Sequence, residues 1–198
     1  MKKILLLFTH PKYEFSRANK ALLQNIPEMD GLTFHDLYER YPDFNIDIDA
    51  EKELLKQHDI IVWHHPFYWY SCPPLMKQWI DLVLEFGWAY GPGGNALEGK
   101  WCFNAITTGS SLQNYCQDGM HQCSFHEFLK PFEQTAKLCG MHYLPPFAVM
   151  GTVQMDAKDL AQYEVQYRKL LHFLQHTDSL IQPEQLAFLN EAVALIQS

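Results

Sequence analysis

The sequence predicts an α/β protein whose parallel sheet is covered by helices on both faces. Short apolar runs alternate along the chain with segments whose apolar residues recur at helical spacing, and no internal repeat interrupts this order. Apolar residues form 47% of the 198 residues, which suits one domain with a full core. Strands that alternate with helices pair in parallel, because each helical crossover returns the chain to the same end of the sheet.

The first half of the chain contains three predicted strands. The runs KKILLLFT and DIIVWH are rich in apolar residues without alternation, as in strands buried on both faces. The helix between the first two strands begins near Ser16, a residue suited to cap it. The predicted elements are strands 2–9, 31–37 and 59–64 and helices 16–26 and 49–58.

The next predicted helix is opened by Pro73 and Pro74, since proline fits the first turn of a helix. Pro131 lies inside a later helix and predicts either a kink or a start delayed to about Lys130. The apolar face predicted for the first of these helices consists of Leu75, Trp79, Leu82, Val83 and Phe86. The remaining predicted elements are strands 101–107 and 143–152 and helices 124–139 and 157–174.

Five parallel strands without a GxGxxG motif after the first strand indicate a flavodoxin-like three-layer sandwich rather than a dinucleotide-binding fold. In such a fold, ligands lie beyond the carboxyl ends of the strands. We assign residues 1–176 to this domain and residues 177–198 to a C-terminal extension. The extension begins with a polar break and ends in a short predicted helix with an apolar face formed by Leu186, Leu189, Val193 and Ile196.

The charge balance limits the partners of the protein. Lys and Arg number 15 against 23 Asp and Glu, a formal net charge of −8, and the basic residues are scattered, which argues against nucleic-acid binding. The five cysteines include no CxxC pair, as is usual in a reducing compartment. Because the start of the chain also lacks a signal-peptide pattern, we expect a cytoplasmic protein.

The segment after the first strand, HPKYEFSRAN at 10–19, is a candidate anion site. A helix N-terminus offers free backbone N–H groups and a partial positive charge, which together can hold a phosphate. Ser16 and Asn19 add neutral donors, and His10 and Arg17 can add charge. The competing interpretation is that Ser16 only caps the helix.

Two further strand ends carry rings and small residues. The loop HPFYWYSCPP at 65–74 places three consecutive rings near prolines, which suits a planar ligand, and the alternative is an aromatic core segment. The segment TTGSSLQNYCQDGMH at 107–121 begins with small residues that let the backbone approach a ligand closely. Tyr115 and His121 in this segment can share a developing charge or relay a proton, or else they are ordinary surface-loop residues.

The same loop holds a second candidate, a zinc site formed by Cys116, His121, Cys123 and His126. These residue types suit zinc, but their spacing matches no standard finger or ribbon pattern, so we expect no metal. The GPGG at 91–94 lacks the Lys-Ser/Thr of a phosphate-binding loop and is interpreted as a turn.

Taken together, these segments resemble the flavodoxin-like FMN-dependent NAD(P)H:quinone oxidoreductases, the family of DT-diaphorase and the bacterial modulators of drug activity. Within this family, the likeness is strongest to the branch of ancillary flavoproteins of the glutathione-gated potassium efflux system. The likeness runs from residue 1 to about residue 175. The stretches that carry it are LYERYPDFNIDI at 37–48, HPFYWYSCPPLMKQWID at 65–81, GWAYG at 87–91 and LPPFA at 144–148.

The resemblance implies that three segments bind FMN. At the phosphate it implies His10, Ser16, Arg17, Ala18 and Asn19. Along the isoalloxazine ring it implies Phe67, Tyr68, Trp69 and Tyr70. At a loop that is TTGG in the family it implies Thr107, Thr108, Gly109 and Ser110.

The resemblance also implies how the site works. Tyr115 and His121 match a catalytic charge-relay pair, and Trp88 and Tyr90 match a segment that lines the substrate pocket across a homodimer interface. On this basis the chain is expected to form a homodimer. The exposed-aromatic segment at 88–90 is expected to project from one subunit toward the other.

The implied activity is a two-step hydride transfer from NAD(P)H to a quinone, with noncovalent FMN. An alternative or additional role is that of a regulatory subunit docked on a potassium efflux transporter at the inner face of the cell membrane. The third interpretation is a one-electron FMN carrier. The aromatic pocket and the pair Tyr115 and His121 argue against it, because such a carrier needs no slot for a two-electron donor. Ser110 replaces the family's usual second glycine and needs a compatible backbone, and Tyr68 replaces a common glutamine, which bears on substrate preference.

Overall fold

The computed structural model describes residues 1–177 and 186–196, and strands and helices alternate along them. The strands are β1 (Ile4–Phe8), β2 (Leu32–Asp36), β3 (Ile60–Pro66), β4 (Trp101–Thr108), β5 (His142–Tyr143) and β6 (Phe147–Met150). The helices are α1 (Arg17–Leu23), α2 (Leu37–Arg40), α3 (Ile48–Lys56), α4 (Pro74–Val83), α5 (Phe125–Leu138), α6 (Ala157–His176) and α7 (Leu189–Ile196), with 3-10 turns at Tyr13–Phe15 and Leu112–Asn114.

The sheet confirms the predicted fold class. All the paired strands run parallel, in the order β2-β1-β3-β4-β5, with β6 also paired to β4. This is the strand order of the flavodoxin-like version of the doubly wound fold. The order reverses between β1 and β3, and the connections leave a crevice beyond the carboxyl ends of these two strands, where ligands bind in open α/β sheets.

The predicted last strand, 143–152, is wrong in its continuity because Pro145 and Pro146 divide it. β5 pairs with the start of β4 through Trp101 and His142, and β6 pairs with its end in a register shifted by one residue. Proline has no N–H for a sheet hydrogen bond, so it occurs in strands at bulges and edges. The fifth position of the sheet is therefore filled by two short strands.

Two helix predictions also need correction. α5 begins at Phe125 and continues through Pro131, so the delayed start is wrong. Its start is fixed by a capping box, in which Ser124 and Glu127 each accept a backbone N–H of the other. On α4, Leu75, Trp79 and Val83 are buried, but Leu82 is exposed and Phe86 lies beyond the end of the helix.

Each face of the sheet packs on its own core, because successive side chains of a strand point to opposite faces. Leu5 and Leu7 of β1 belong to the core that contains Trp63 and Trp79. Ile4, Leu6 and Phe8 belong to the core that contains Tyr167 of α6. The sheet is therefore the middle layer of a three-layer sandwich. In the part of the chain that the structure describes, no helix is long and apolar enough to cross a membrane.

Helix α7 covers the free edge of β6. The side-chain amide of Asn190 accepts a hydrogen bond from the Ala148 N–H at 2.9 Å and donates one to the Ala148 carbonyl at 3.0 Å. The Leu189 N–H donates to the Pro146 carbonyl. An unpaired strand edge invites pairing with another chain, and these contacts occupy it. Residues 178–185 and 197–198 of the predicted extension lie outside the described residues, and its status as a separate unit stays a prediction.

Candidate functional site

A cleft of about 440 Å³ opens at the carboxyl ends of β1, β3, β4 and β6, and we call it the strand-end cleft. It brings together residues from all three segments that the sequence singles out. The predicted residues that line it are His10, Ser16, Arg17, Ala18, Asn19, Phe67, Tyr68, Thr107, Thr108 and Gly109.

Helix α1 begins at this cleft because Ser16 caps it. The Ser16 Oγ accepts the backbone N–H of Asn19 at 3.3 Å and also lies 2.9 Å from the Asn19 Nδ2. The same Nδ2 lies 3.1 Å from the Thr107 Oγ1 at the end of β4. Capping and binding are compatible here, since the cap uses Ser16 as an acceptor and leaves its hydroxyl proton free to be donated.

The charge of the strand-end cleft differs from that of the whole chain. The chain carries a formal net charge of −8, yet none of the described residues that line the cleft is Asp or Glu. Lys12 and Arg17 line it, and the exposed Arg17 guanidinium donates to the Thr152 carbonyl at 2.9 Å. Hydroxyl and amide donors with nearby cations, and no carboxylate, suit an anionic group such as a phosphate.

His10 contributes a neutral donor rather than a charge. Burial lowers its pKa below the usual 6.5, against the opposing effect of Glu14, so the ring is neutral near pH 7. The Nδ1 accepts the backbone N–H of Lys12 at 3.1 Å, which leaves the ring proton on Nε2. This Nε2 lies 3.5 Å from the Tyr68 hydroxyl.

Behind the cleft, a buried hydrogen-bond chain was not predicted from the sequence. His64 Nε2 lies 2.9 Å from Asn19 Oδ1, and His64 Nδ1 lies 3.2 Å from the Tyr167 hydroxyl. Burial lowers the pKa of His64 to about 3, so the ring stays neutral. We call the connected residues Tyr167, His64, Asn19, Ser16 and Thr107 the His64 chain.

The neighbouring His65 belongs to a separate buried network. Its Nδ1 lies 3.0 Å from the Pro66 carbonyl, and its Nε2 lies 3.0 Å from the Asn104 Nδ2. The Tyr143 hydroxyl donates to the Asn104 Oδ1. Burial lowers the pKa of His65 to about 4, so this ring is also neutral. The network holds the end of β3 beside β4.

The predicted ring loop contains a strained tight turn. Tyr68 and Ser71 exchange two backbone hydrogen bonds, of 3.2 and 2.9 Å. The two central residues, Trp69 and Tyr70, have φ values of 47° and 62°, a region that favours Asn and Gly and disfavours aromatic residues. Trp69 is 93% exposed, and neither central residue lines the strand-end cleft. Strain of this kind concentrates at functional sites, because the surrounding structure must hold it.

Tyr115 and His121 meet beside the cleft. Their rings stack with centroids 4.4 Å apart, and Tyr115 is buried. The Tyr115 hydroxyl lies 3.0 Å from the Thr108 Oγ1, and the His121 Nε2 lies 3.2 Å from the Ser110 Oγ. The structure therefore ties both side chains to the strand end without placing them among the cleft-lining residues. Ser110 has no positive φ, so its backbone is compatible with a non-glycine residue.

Other predicted residues lie away from the cleft. Trp88 and Tyr90 are half-buried, so the prediction of an exposed segment there is wrong, and the exposed ring nearby is Phe86. Trp88 packs under the Lys52 ammonium, which lies 5.3 Å from the ring centroid. Within the described residues, no three His, Cys, Asp or Glu side chains are grouped so as to hold a metal ion.

Sequence reasoning missed several lining residues. Thr152 and Val153, which follow β6, lie in none of the three predicted segments, and Pro66, which ends β3, lies within the predicted loop 65–74 without being named as a site residue. Parallel strands end at one edge of the sheet, so the residues after the last strand are expected at the site. The predicted last strand runs to residue 152 and therefore hides this signal. Two larger clefts, of about 550 and 850 Å³, surround Met1, Gln175 and His176 at the other end of the molecule, next to residues outside the described part.

The chain is similar in sequence to proteins of one family. The family model described as a flavodoxin-like fold matches residues 2–171. The glutathione-regulated potassium-efflux system ancillary protein KefG of Enterobacter sp. (strain 638) is 44% identical over 169 residues, which cover 85% of this chain and 92% of that protein.

Solved structures give the same fold. General stress protein 14 from Treponema denticola, determined in complex with FMN, is 40% identical with a TM-score of 0.84, and the match covers 87% of this chain and 99% of that one. An NADPH-quinone reductase from P. pentosaceus is 28% identical with a TM-score of 0.77, and the match covers 85% of this chain and 96% of that one.

Proposed function

Because this chain belongs to the flavodoxin-like fold family, we propose that it is an FMN-dependent NAD(P)H:quinone oxidoreductase. The observation that carries the proposal is that, in an acidic chain, the described residues lining the strand-end cleft include no carboxylate, while Ser16, Asn19 and Thr107 are grouped there beside Arg17. The likeness to a protein solved with FMN and to an NADPH-quinone reductase supports this assignment.

The phosphate of FMN would bind at the start of α1. The Ser16 and Thr107 hydroxyls and the Nε2–H of His10 are neutral donors, and Arg17 and Lys12 supply positive charge. Backbone N–H groups of the first turn of α1 have no partner inside the helix and can add to this set. The small side chain of Ala18 leaves room for a ligand beside the helix.

The ring end of the cleft would hold the isoalloxazine. Phe67 and Tyr68 line the cleft there, and Thr108 and Gly109 form the facing strand end, whereas Thr107 is assigned to the phosphate end through its contact with Asn19. Trp69 and Tyr70 in the strained turn and Ser110 after the strand complete the proposed loops. When bound, FMN would supply hydride exchange between NAD(P)H and a quinone, and the two substrates would use the same slot in turn.

Tyr115 and His121 are the proposed catalytic pair. Contacts with Thr108 and Ser110 hold the Tyr115 hydroxyl and the His121 Nε2 at the end of β4. There the two groups would stabilise negative charge on the edge of the isoalloxazine ring. To reach that charge, the Tyr115 hydroxyl would give up Thr108 as its partner. The stacked rings hold each other in place. The proton can then be held at the Tyr115 hydroxyl or at the His121 ring nitrogen.

The test is an anaerobic two-stage experiment on the purified, FMN-loaded protein. NADPH should bleach the flavin bands and a quinone should restore them, and a flavin that neither reagent affects would exclude the proposal. Tyr115→Phe and His121→Gln should each slow flavin reduction in stopped flow about tenfold to a hundredfold without releasing FMN. Gln117→Ala, an exposed neighbour in the same loop, serves as the matched control. Unchanged reduction in the double variant would remove the pair from catalysis.

We propose further that the active unit is a homodimer. The neighbour's Trp88 and Tyr90 would complete the substrate pocket, and the exposed rings of Trp69 and Phe86 offer apolar surface for an interface. Sedimentation should give a dimer. A fully active monomer would contradict this part of the proposal.

A second function is favoured by the 44% identity to a KefG protein. In this role the chain is an ancillary subunit that docks on a potassium efflux transporter at the inner face of the membrane. Co-expression with such a transporter should bring the protein into the membrane fraction in proportion to the transporter. The Tyr115→Phe/His121→Gln variant should dock equally well if docking and catalysis are independent.

A further inference from the structure

The His64 chain has two possible hydrogen-bond directions, and they present opposite polarity to the strand-end cleft. In the first, the Tyr167 hydroxyl donates to His64 Nδ1, His64 Nε2–H donates to Asn19 Oδ1, and the Asn19 amide donates to Ser16 and Thr107. In the second, every bond is reversed, so that the Ser16 and Thr107 hydroxyls donate to Asn19. A neutral imidazole permits either direction, because it has one donor and one acceptor.

Burial selects the first direction. Tyr167, His64 and Asn19 are each at most 1% exposed. The first direction uses the Tyr167 proton, the ring proton and both amide hydrogens of Asn19. The reversed direction gives the Tyr167 proton and one amide hydrogen no acceptor among the described residues. A buried donor without an acceptor is costly, whereas an oxygen with a spare lone pair is tolerated.

The selected direction decides what Ser16 and Thr107 offer a ligand. Ser16 Oγ accepts both the Asn19 backbone N–H and the Asn19 side-chain amide, so its own proton is left for a different partner. Thr107 Oγ1 likewise accepts from Asn19 and keeps its proton. Both residues line the strand-end cleft. A phosphate is acceptor-only at its charged oxygens, so it requires hydroxyls that donate.

We propose that His64 and Tyr167 are positioning residues that fix the Asn19 amide and thereby hold Ser16 and Thr107 as donors to a bound phosphate. This inference rests on the proposed function, in which that phosphate belongs to FMN. It adds that phosphate recognition depends on two buried side chains that touch no ligand. Their effect falls on the phosphate alone and not on the flavin ring.

The test compares two ligands that differ only in the phosphate. Apo-protein is titrated with FMN and with riboflavin, for the parent and for His64→Leu, His64→Gln and Tyr167→Phe. His64→Leu should weaken FMN binding about tenfold to a hundredfold with riboflavin binding unchanged, since hydrogen bonds to a charged group are lost. His64→Gln keeps a donor toward Asn19 and an acceptor toward Tyr167, and should stay within about threefold of the parent.

Tyr167→Phe is the milder variant if the leucine variant does not fold. It removes one hydroxyl from the far end of the chain and should weaken FMN binding severalfold, again without affecting riboflavin. Nitrogen NMR of the His64 ring should show the proton on Nε2 in the apo-protein.

Three results would overturn the inference. Equal losses for FMN and riboflavin in all three variants would make His64 a merely structural residue. A proton on Nδ1 would contradict the selected direction. A parent protein that binds FMN no more tightly than riboflavin would overturn the proposed phosphate site itself, and this inference with it. The third result is seen in the ligand affinities of the unsubstituted protein, whereas the first needs the variants and the second concerns only the ring proton.

Discussion

Two buried polar networks lie on opposite faces of the sheet, and they differ in where they end. The Glu51 cluster, formed by Glu51, His35, Tyr41 and Trp79, lies with the core that contains Trp79. The His64 chain lies with the core that contains Tyr167. The first network closes on itself, whereas the second ends in two hydroxyls at the strand-end cleft.

The Glu51 cluster uses both oxygens of one carboxylate. Oε1 lies 2.8 Å from His35 Nε2 and 2.6 Å from the Tyr41 hydroxyl, and Oε2 accepts the Trp79 indole N–H at 2.7 Å. Burial alone would raise the pKa of Glu51, but these partners lower it below its usual value. Burial and the adjacent carboxylate raise the pKa of Tyr41 to about 12. The cluster joins α3, α4 and β2 through charge that is fully hydrogen-bonded.

The comparison shows that burial of polar side chains does not by itself mark a functional site. Both networks are buried and both include histidine. A network whose donors and acceptors are all used internally can only stabilise the fold. A network that ends in hydroxyl protons at a cleft can pass its orientation to a ligand. The Glu51 cluster should therefore govern stability, and the His64 chain should govern ligand discrimination.

The largest expected effect is on stability, from Glu51→Leu. The substitution leaves Tyr41 and Trp79 without their buried acceptor, so the free energy of unfolding should fall by about 3–5 kcal/mol. Glu53→Gln, on the exposed side of the same helix, is the matched control and should cost less than about 1 kcal/mol. Denaturant unfolding measures both. A loss near that of the control would mean that the cluster is not a stabilising unit.

A smaller effect separates the buried histidines from the Glu51 cluster by pH. His64 and His65 have folded pKa values of about 3 and about 4, below the unfolded value of 6.5. Their neutral forms stabilise the fold fully above pH 6.5, and this stability is lost as the pH falls toward the folded values, because the unfolded chain takes up protons first. The loss should be about 1 kcal/mol per pH unit for each histidine. Glu51 has a lowered pKa, so the stability that it contributes is fully present above its unfolded value of 4.5 and is lost only as the pH falls below that value.

The free energy of unfolding should therefore be measured from pH 7 to pH 5. In this range His64 and His65 change its value, whereas Glu51 does not. The His64→Gln/His65→Gln variant should have a flatter slope than the parent. His142→Gln, at an exposed position, controls for loss of an imidazole. Parallel slopes for the parent and the double variant would show that the two histidines are not held neutral in the fold.

The sequence predicts the strand-end segments of the site but not the two buried networks. The three segments at the strand ends could be predicted because parallel strands end at one edge and because each segment carries its own local signal. His64 could not, since a histidine at the end of the run DIIVWH gives no local signal and its partner Tyr167 lies 103 positions away. The same holds for Glu51, which in the sequence is one acidic residue of a polar helix.

The remaining errors of prediction have local causes. Pro145 and Pro146 split the last strand into β5 and β6. Both pieces pair with β4, which continues past the prolines, and the local sequence does not show this. The turn at Trp69 and Tyr70 lacks the Asn-Gly signal of its type, so the strain had to be seen in the structure. The continuous α5 shows that a strong capping box can outweigh an internal proline.

The most direct test of the strand-end cleft as the phosphate end of an FMN site is the FMN dissociation constant of the Ser16→Ala/Asn19→Ala variant. Ser16→Ala removes a donor, and Asn19→Ala removes the amide that orients Ser16 and Thr107. FMN binding should weaken by at least about a hundredfold, with riboflavin binding nearly unchanged. Lys20→Ala, exposed on the same helix, should bind FMN like the parent. FMN affinity that survives both substitutions would contradict the assignment of this cleft.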